Sequence, residues 1–198
     1  NDQVWLSLPE SKKLRDDEYQ LVEGKWPTNY NEVVLEVDEN NEITDYALYS
    51  LGLLDQDELV KNYQKILNGE TDKISKTNLE SYSVDDILNL KFRLVLNSDL
   101  YQKVNGLWIN QSENESYMKD VVSKSPEIKV VGIIKPSDST VSQPTMGGVY
   151  YTKAMEEYVT SKTENAQIVI EQKTNPNINI FTQAEFASGQ KMSMSNLT

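Results

Sequence analysis

The acidic segment DENNEITD, which begins at Asp38, carries oxygen-bearing side chains at a spacing that calcium loops use. A calcium loop of the EF-hand type needs oxygen ligands at positions 1, 3, 5 and 12, and a glycine at position 6. Asp38, Asn40 and Glu42 provide the first three ligands. Ile43 and Tyr49, however, occupy positions 6 and 12, so the two most diagnostic requirements fail. The segment therefore favours a loop between a strand and a helix, and we expect no metal site in it.

Neighbouring carboxylates are the second set of groups that could do chemistry. Two carboxyl groups that converge on one glycosidic bond can serve as its acid and base. The chain offers three such pairs, all in polar surroundings without nearby aromatic residues to raise a pKa: Glu39/Glu42, Asp85/Asp86 and Glu156/Glu157. With 31 acidic residues in the chain, pairs of this kind arise by chance. We therefore predict no catalytic residue and no enzyme activity.

The residue types that the chain lacks exclude several chemistries. Its 198 residues include neither cysteine nor histidine. This rules out a thiol nucleophile, a Ser-His-Asp triad and an ordinary zinc site. The Gly24-Lys25 dipeptide lacks the upstream glycine and the following Ser or Thr of a phosphate-binding loop. We therefore expect no cofactor.

Charge and aromatic content bear on the partners. The formal net charge of −12 repels nucleic-acid phosphates, so we expect no nucleic-acid partner. Tyrosine outnumbers phenylalanine by 11 to 3, and Tyr101, Trp108 and Tyr117 lie close together in sequence. Exposed aromatic side chains can anchor a partner protein, whereas those on strands often lie half-buried. We name these three residues as candidate partner contacts and keep half-buried packing as the alternative.

The apolar pattern mixes strands with short helices. Asn105-Gly106 between apolar residues predicts a two-residue hairpin of type I′. Helices are expected after Thr152 and after Ser112, where Ser112 and Glu115 match a capping box. Runs rich in apolar and β-branched residues predict strands at 33–37, 90–96, 128–136, 149–151, 166–172 and 177–183. Because strands and helices do not alternate strictly, we expect an α+β fold.

The segment EGKWPTNYNEVVLEVDENNEITDYALYSLGL resembles the signature of the large extracytoplasmic domain in FtsX/MacB-family ABC transporter permeases. In that family a turn of the form G-R/K-x-P precedes N-E-V-V-L, as Gly24 to Pro27 precede Asn31 to Leu35 here. A helix ending in LGL follows in the family, as at Leu51 to Leu53, and a strand ending in VVGII recurs, here Val130 to Ile134. SVDDILNLKFRLVLNSDLY and IVIEQKTNPNINIFT are similar to the variant in large permeases of Gram-positive bacteria.

The resemblance covers roughly residues 20–185 and implies a fold and a domain plan. It implies an α+β core with a mixed sheet and short helices, like the MacB periplasmic core, with a smaller inserted subdomain. We predict a core made of 1–54 and 126–185, an insertion at 55–125, and a disordered or truncated tail at 186–198. Gly24 and Pro27 would then set a turn and Gly52 would end a helix, so none of them belongs to a ligand site.

The resemblance also implies a function without catalysis. The domain would lie on the extracellular side of the cell membrane as an excised fragment, without the permease's own transmembrane helices. A cytosolic ABC ATPase, fused or separate, would drive its motion, and the domain would act on an unknown extracellular substrate or partner protein. The alternative is a secreted or surface-anchored binding module of the adhesin or solute-binding type.

Overall fold

The computed structural model describes the following residues: 4–38, 43, 47–48, 51–52, 64–65, 67–69, 84–137 and 147–186. Internal contacts divide the chain into two compact units. The first unit comprises 1–90 with 129–153, and the second comprises 91–128 with 154–198.

The described elements confirm an α+β fold with a mixed sheet and short helices. The strands are β1 Trp5–Ser7, β2 Tyr19–Gly24, β3 Glu32–Glu36, β4 Lys91–Arg93, β5 Tyr101–Val104, β6 Leu107–Asn110, β7 Glu127–Pro136 and β8 Gly148–Tyr151. The helices are α1 Lys12–Glu18, α2 Val84–Leu88, α3 Glu115–Lys124, α4 Lys153–Glu164 and α5 Gln167–Thr174, and a 3₁₀ helix spans Asn97–Leu100.

The predicted division into a core and an insertion differs from the two units. It grouped 126–185 with the N-terminal segment, whereas 154–198 groups with 91–128 in the structure. Most of the predicted insertion before residue 84 lies outside the described residues, as does the predicted tail beyond residue 186. The insertion boundaries stay a prediction.

The main sheet has the strand order β1-β8-β3-β7-β2, and β4 also pairs with β7. Strands β1 and β8 are parallel, as are β3 and β7, whereas β3 with β8 and β2 with β7 are antiparallel. Every residue of β3 is buried, which agrees with its run of β-branched residues. Strand β7 lies between β3 and β2, and the strand predicted at 128–136 is confirmed.

The core of the first unit forms around β3, β7 and β8. Leu8, Val34, Ile134 and Tyr150 are buried together. Leu6, Tyr19, Leu21 and Trp26 pack against them with part of their surface exposed. Burial of a large apolar side chain stabilises a fold by roughly 1.5–3 kcal/mol. This cluster therefore stabilises the sheet that contains β2, β3 and β7.

The second unit contains the predicted hairpin. Strands β5 and β6 pair antiparallel, and Val104 is opposite Leu107 across the turn. The turn residues Asn105 and Gly106 have φ angles of 50° and 87°. Two positive φ angles are what a type I′ turn requires, so the hairpin prediction is confirmed.

Two predicted strands near the C-terminus are wrong. Residues 166–172 form most of helix α5, in which the Ile170 amide donates to the Ala166 carbonyl at 2.9 Å. A short apolar run does not distinguish a buried helix from a strand. Residues 177–183 form turns, with one isolated bridge between Ile178 and Glu185. The side-chain oxygen of Asn179 accepts from the Phe181 amide at 2.9 Å, which turns the chain locally.

Helix α3 is present where a helix was expected, but its predicted cap is wrong. The residue that caps it is Asn114, whose side-chain oxygen accepts from the Tyr117 amide at 3.1 Å. Ser112 instead donates its backbone N–H to the Asn110 side chain at 2.7 Å. Asparagine is at least as good a cap as serine, and Asn114 directly precedes the first helical residue.

Candidate functional site

The turn that follows β2 is held by a buried carboxylate from β3. Glu32 is 8% exposed, and its Oε1 accepts from the Lys25 ammonium at 2.7 Å. Its Oε2 accepts from the backbone amides of Thr28 and Asn29 at 2.8 and 3.1 Å. The hydrogen bond from Lys25, followed by that from Thr28, lowers the pKa of Glu32 to about 2. The two halves of the GKWPTNYNE segment are therefore joined by one ionised side chain.

Gly24 lies opposite Gly132, the glycine of the VVGII segment, in the register of β2 and β7. Gly24 has a φ of +77°, and a Cβ on it would clash with the Val131 carbonyl. A Cβ on Gly132 would clash with the Lys25 carbonyl. Both positions therefore require glycine, because the two backbones approach each other too closely for a side chain.

A second buried carboxylate lies at the end of β3. Glu36 is 3% exposed, and its Oε2 accepts from the Tyr150 hydroxyl at 3.1 Å. The Tyr19 hydroxyl donates to the Tyr150 hydroxyl at 3.2 Å. Burial, the Tyr19 hydroxyl and the Glu36 charge raise the pKa of Tyr150 far above its usual range. Tyr150 therefore keeps its proton and serves as a donor to Glu36.

Sequence reasoning missed both buried carboxylates. The available signal was their position, since Glu32 and Glu36 bracket the apolar run Val33 to Leu35. A charged residue within such a run is rarely buried without a partner, but the pattern does not say which residue is the partner.

The three aromatic candidates lie in the second unit, and all are half-buried. Tyr101 and Trp108 pack against the buried cluster of Ile168, Val169 and Ile180. The Tyr117 hydroxyl is within hydrogen-bonding distance of two carbonyls, 3.0 Å from that of Asp99 and 3.2 Å from that of Tyr101. The structure therefore joins Tyr117 to Tyr101 and places Tyr101 and Trp108 on one cluster, in the half-buried packing that we kept as the alternative. Their role as partner contacts stays a prediction.

Glu171 of α5 anchors the hairpin, and sequence reasoning missed it. Its Oε2 accepts from the Trp108 indole N–H at 2.9 Å, and its Oε1 accepts from the Lys103 ammonium at 2.7 Å. These two hydrogen bonds lower the pKa of Glu171, and the one from Lys103 has the larger effect. The residues are far apart in sequence, and 166–172 was predicted to be a strand, so no local pattern pointed to this contact.

The second unit also contains an open groove of about 500 Å3. Helices α3 and α4 contribute to its lining, together with the residues that follow β4. Apolar and charged side chains both line it: Leu94, Leu96, Asp99, Tyr117, Asp120, Val121, Lys124, Pro126, Tyr158 and Lys162. Tyr117 is thus shared between the groove and the predicted contact set, and burial with the nearby charges of Asp99 and Asp120 raises its pKa.

The carboxylate pairs that the structure describes do not converge. Asp85 and Asp86 are exposed on α2, and Glu156 and Glu157 are exposed on α4. Neighbouring residues on a helix point about 100° apart, since 3.6 residues make one turn. The Glu39/Glu42 pair and most of the acidic segment that begins at Asp38 lie outside the described residues. In the described part of the chain, no group of three or more acidic side chains could hold a metal ion.

Comparisons with known proteins give no family by themselves. No protein-family model, curated protein or solved structure matches the chain. Among the helices that the structure describes, none has both the length and the apolar character that crossing a bilayer demands. The assignment of a function therefore depends on the signature residues and on what they do in the fold.

Proposed function

We propose that this chain is the extracytoplasmic domain of an FtsX/MacB-family ABC transporter permease, and that it transmits ATP-driven motion to a substrate or partner outside the membrane. One observation supports the proposal most. Three of the segments that carry the resemblance meet in one sheet: the turn at Gly24–Pro27, NEVVL and VVGII, the last of which is far from the other two in sequence. Gly24 at the end of β2 is opposite Gly132 of β7, and β3 pairs with the other edge of β7.

The signature residues also have physical roles in this fold. Gly24 and Gly132 allow two strands to approach, and Glu32 fixes the turn through Lys25 and Thr28. The joint use of these signature residues in one structural unit supports a shared architecture.

A transmitting domain has to move as a stiff body. The β3 strand is buried along its whole length and pairs with a strand on either side. Close-packed interiors of this kind transmit displacement because they resist compression. In the proposed transporter, a cytosolic ATPase would bind and hydrolyse ATP. The permease's own transmembrane helices would pass the motion to this domain.

The complete reading frame provides the first test. We expect a membrane helix before Asn1, three or more after Thr198, and an ATPase gene fused or adjacent. A complete frame with a secretion signal and no membrane helices would contradict the proposal. That result would favour a secreted or surface-anchored binding module instead.

The complete transporter in a bilayer provides the functional test. A variant in which residues 1–198 are replaced by a short linker should still hydrolyse ATP but lose its action outside the membrane. Full-length protein with Lys119→Gln is the control, because Lys119 is exposed and its ion-pair partner among the described residues is Glu115 on its own helix. Unchanged action by the variant without the domain would overturn the proposed role.

A further inference from the structure

The groove in the second unit has the size and lining of a binding site. Its volume of about 500 Å3 falls within the roughly 300–1,000 Å3 of small-molecule sites. Leu94 and Leu96, which lie between β4 and the 3₁₀ helix, both line the groove. Tyr117, Val121 and Lys124 follow one face of α3, because they are spaced by four and three residues. An apolar surface is therefore bordered by polar groups.

Four charged residues line the groove, and two of them neutralise each other. The Asp120 carboxylate pairs with the Lys124 ammonium at 2.6 Å. Among the described residues, the one side-chain hydrogen bond of Asp99 is that from the Leu96 amide, at 3.0 Å. The Lys162 ammonium lies 5.5 Å from the centre of the Tyr158 ring. Within the described residues, Asp99 and Lys162 have no ion-pair partner and do not pair with each other.

Ser98 provides a further polar group at the groove. Ser98 is among the residues that line the groove, and its Oγ is buried without a hydrogen-bond partner among the described residues. A buried polar atom without a partner costs about 1–3 kcal/mol. A ligand that hydrogen-bonds to Ser98 would remove this cost on binding.

We propose that the groove binds a short apolar peptide with free amino and carboxyl termini. The ligand carboxylate would pair with Lys162 and accept from Ser98, and the ligand ammonium would pair with Asp99. Its apolar side chain would contact Leu94 and Leu96.

A zwitterion fits better than an ion of one sign, because the two carboxylates and two ammonium groups of the lining sum to zero. A free anion would also be repelled by a chain of net charge −12. The proposal uses only the groove, so it does not depend on the transporter role.

Calorimetric titration of the 198-residue chain with three peptides tests the proposal: Leu-Leu, N-acetyl-Leu-Leu and Leu-Leu amide. Leu-Leu should bind most tightly. Either blocked form should bind about two- to fivefold more weakly, since each has lost one partly exposed charge pair. Equal affinity for all three peptides would overturn the zwitterion assignment, and no saturable binding of any of them would overturn the site.

Lys162→Gln locates the carboxylate. This variant should lose affinity for Leu-Leu and N-acetyl-Leu-Leu but not for Leu-Leu amide. Lys119→Gln removes the same charge from the face of α3 outside the groove, and it should change none of the three affinities.

Val121→Arg, which places a long side chain in the groove, should abolish all binding, with circular dichroism confirming that the variant is folded. If Val121→Arg does not fold, the titrations of Lys162→Gln test the site instead. Unchanged binding of Leu-Leu by Lys162→Gln would contradict the proposal.

Discussion

Gly24 of β2 and Gly132 of β7 face each other. A Cβ on Gly24 would clash with the Val131 carbonyl, and a Cβ on Gly132 would clash with the Lys25 carbonyl. Gly132→Ala should therefore destabilise the protein by about 1–3 kcal/mol, the usual cost of overpacking a tight site. Gly24→Ala should cost more, because a left-handed φ adds about 1–2 kcal/mol for any residue with a Cβ. Urea unfolding measures both changes.

Gly106→Ala is the matched control for Gly24→Ala. Gly106 also has a positive φ, of +87°, but a Cβ there would meet no atom of the described residues within 4 Å. The difference between the two variants therefore isolates the cost of the strand contact. Equal losses of stability would contradict the close approach of β2 and β7.

Glu32 makes stability depend on pH in the acidic range. Its folded pKa of about 2 lies below the ordinary 4.5. The ionised carboxylate therefore stabilises the fold fully above about pH 4.5, and this contribution disappears as the pH falls toward 2. Glu32→Gln should cost about 2 kcal/mol at neutral pH, the scale of charged hydrogen bonds. The difference in the free energy of unfolding between Glu32→Gln and the parent protein should disappear as the pH falls. Urea unfolding at a series of pH values measures this difference.

Glu115→Gln serves as the comparison for Glu32→Gln. Glu115 forms an exposed ion pair with Lys119 on the same helix, and such pairs contribute about 0.3–0.5 kcal/mol. We expect a small change in the free energy of unfolding. A Glu32→Gln variant that behaves in the same way would show that the buried carboxylate does not hold the turn.

The sequence predicted correctly those elements whose conformation depends on residues close together in the chain. Strands β3 and β7 contain the apolar runs Val33–Leu35 and Val130–Ile134, and the hairpin turn is an Asn-Gly pair that tolerates two positive φ angles. Helix α5 escaped prediction because its β-branched run is also typical of a strand. Ile168 and Val169 are buried there on a helix instead, so tertiary packing overrode local propensity.

The candidate sites depend on contacts between distant residues. Tyr101, Trp108 and Tyr117 were found because they are close in sequence. Glu171 lies 63 residues from Trp108, and Tyr150 lies 114 residues from Glu36. The groove likewise combines α3 and α4 with residues near Leu94. A local sequence pattern does not specify such pairings, because they depend on how the elements pack.

Tyr150 should be the residue whose hydroxyl matters most in the first unit. Tyr150→Phe removes the donor to the buried Glu36 carboxylate, and we expect a loss of about 1–3 kcal/mol. The neighbouring Tyr151→Phe is the control, because successive residues of a strand face opposite sides of the sheet. Similar stability of the two variants would contradict a specific role for the Tyr150–Glu36 hydrogen bond.

The same hydroxyl group predicts behaviour at alkaline pH. Burial raises the pKa of Tyr150 above the ordinary 10.0. The protonated form is therefore favoured in the folded state, and this stability is present below about pH 10 and is lost as the pH rises further. Absorbance titration should show a tyrosine that ionises only on unfolding, and Tyr150→Phe should reduce that late fraction. If Tyr150→Phe and the parent protein gave the same titration curve, the raised pKa of Tyr150 would be contradicted.

Trp108 provides a test of partner contact that is separate from stability. Both Trp108→Ala and Glu171→Gln weaken the anchor between the hairpin and α5, but only the first removes the aromatic ring. If this chain is part of the proposed transporter and the ring contacts an extracellular partner, Trp108→Ala should abolish action of the full-length protein while Glu171→Gln largely retains it. Circular dichroism should show that both variants are folded. Equal action by the two variants would mean that Trp108 serves only to pack the hairpin, because loss of the ring would then add nothing to loss of the anchor.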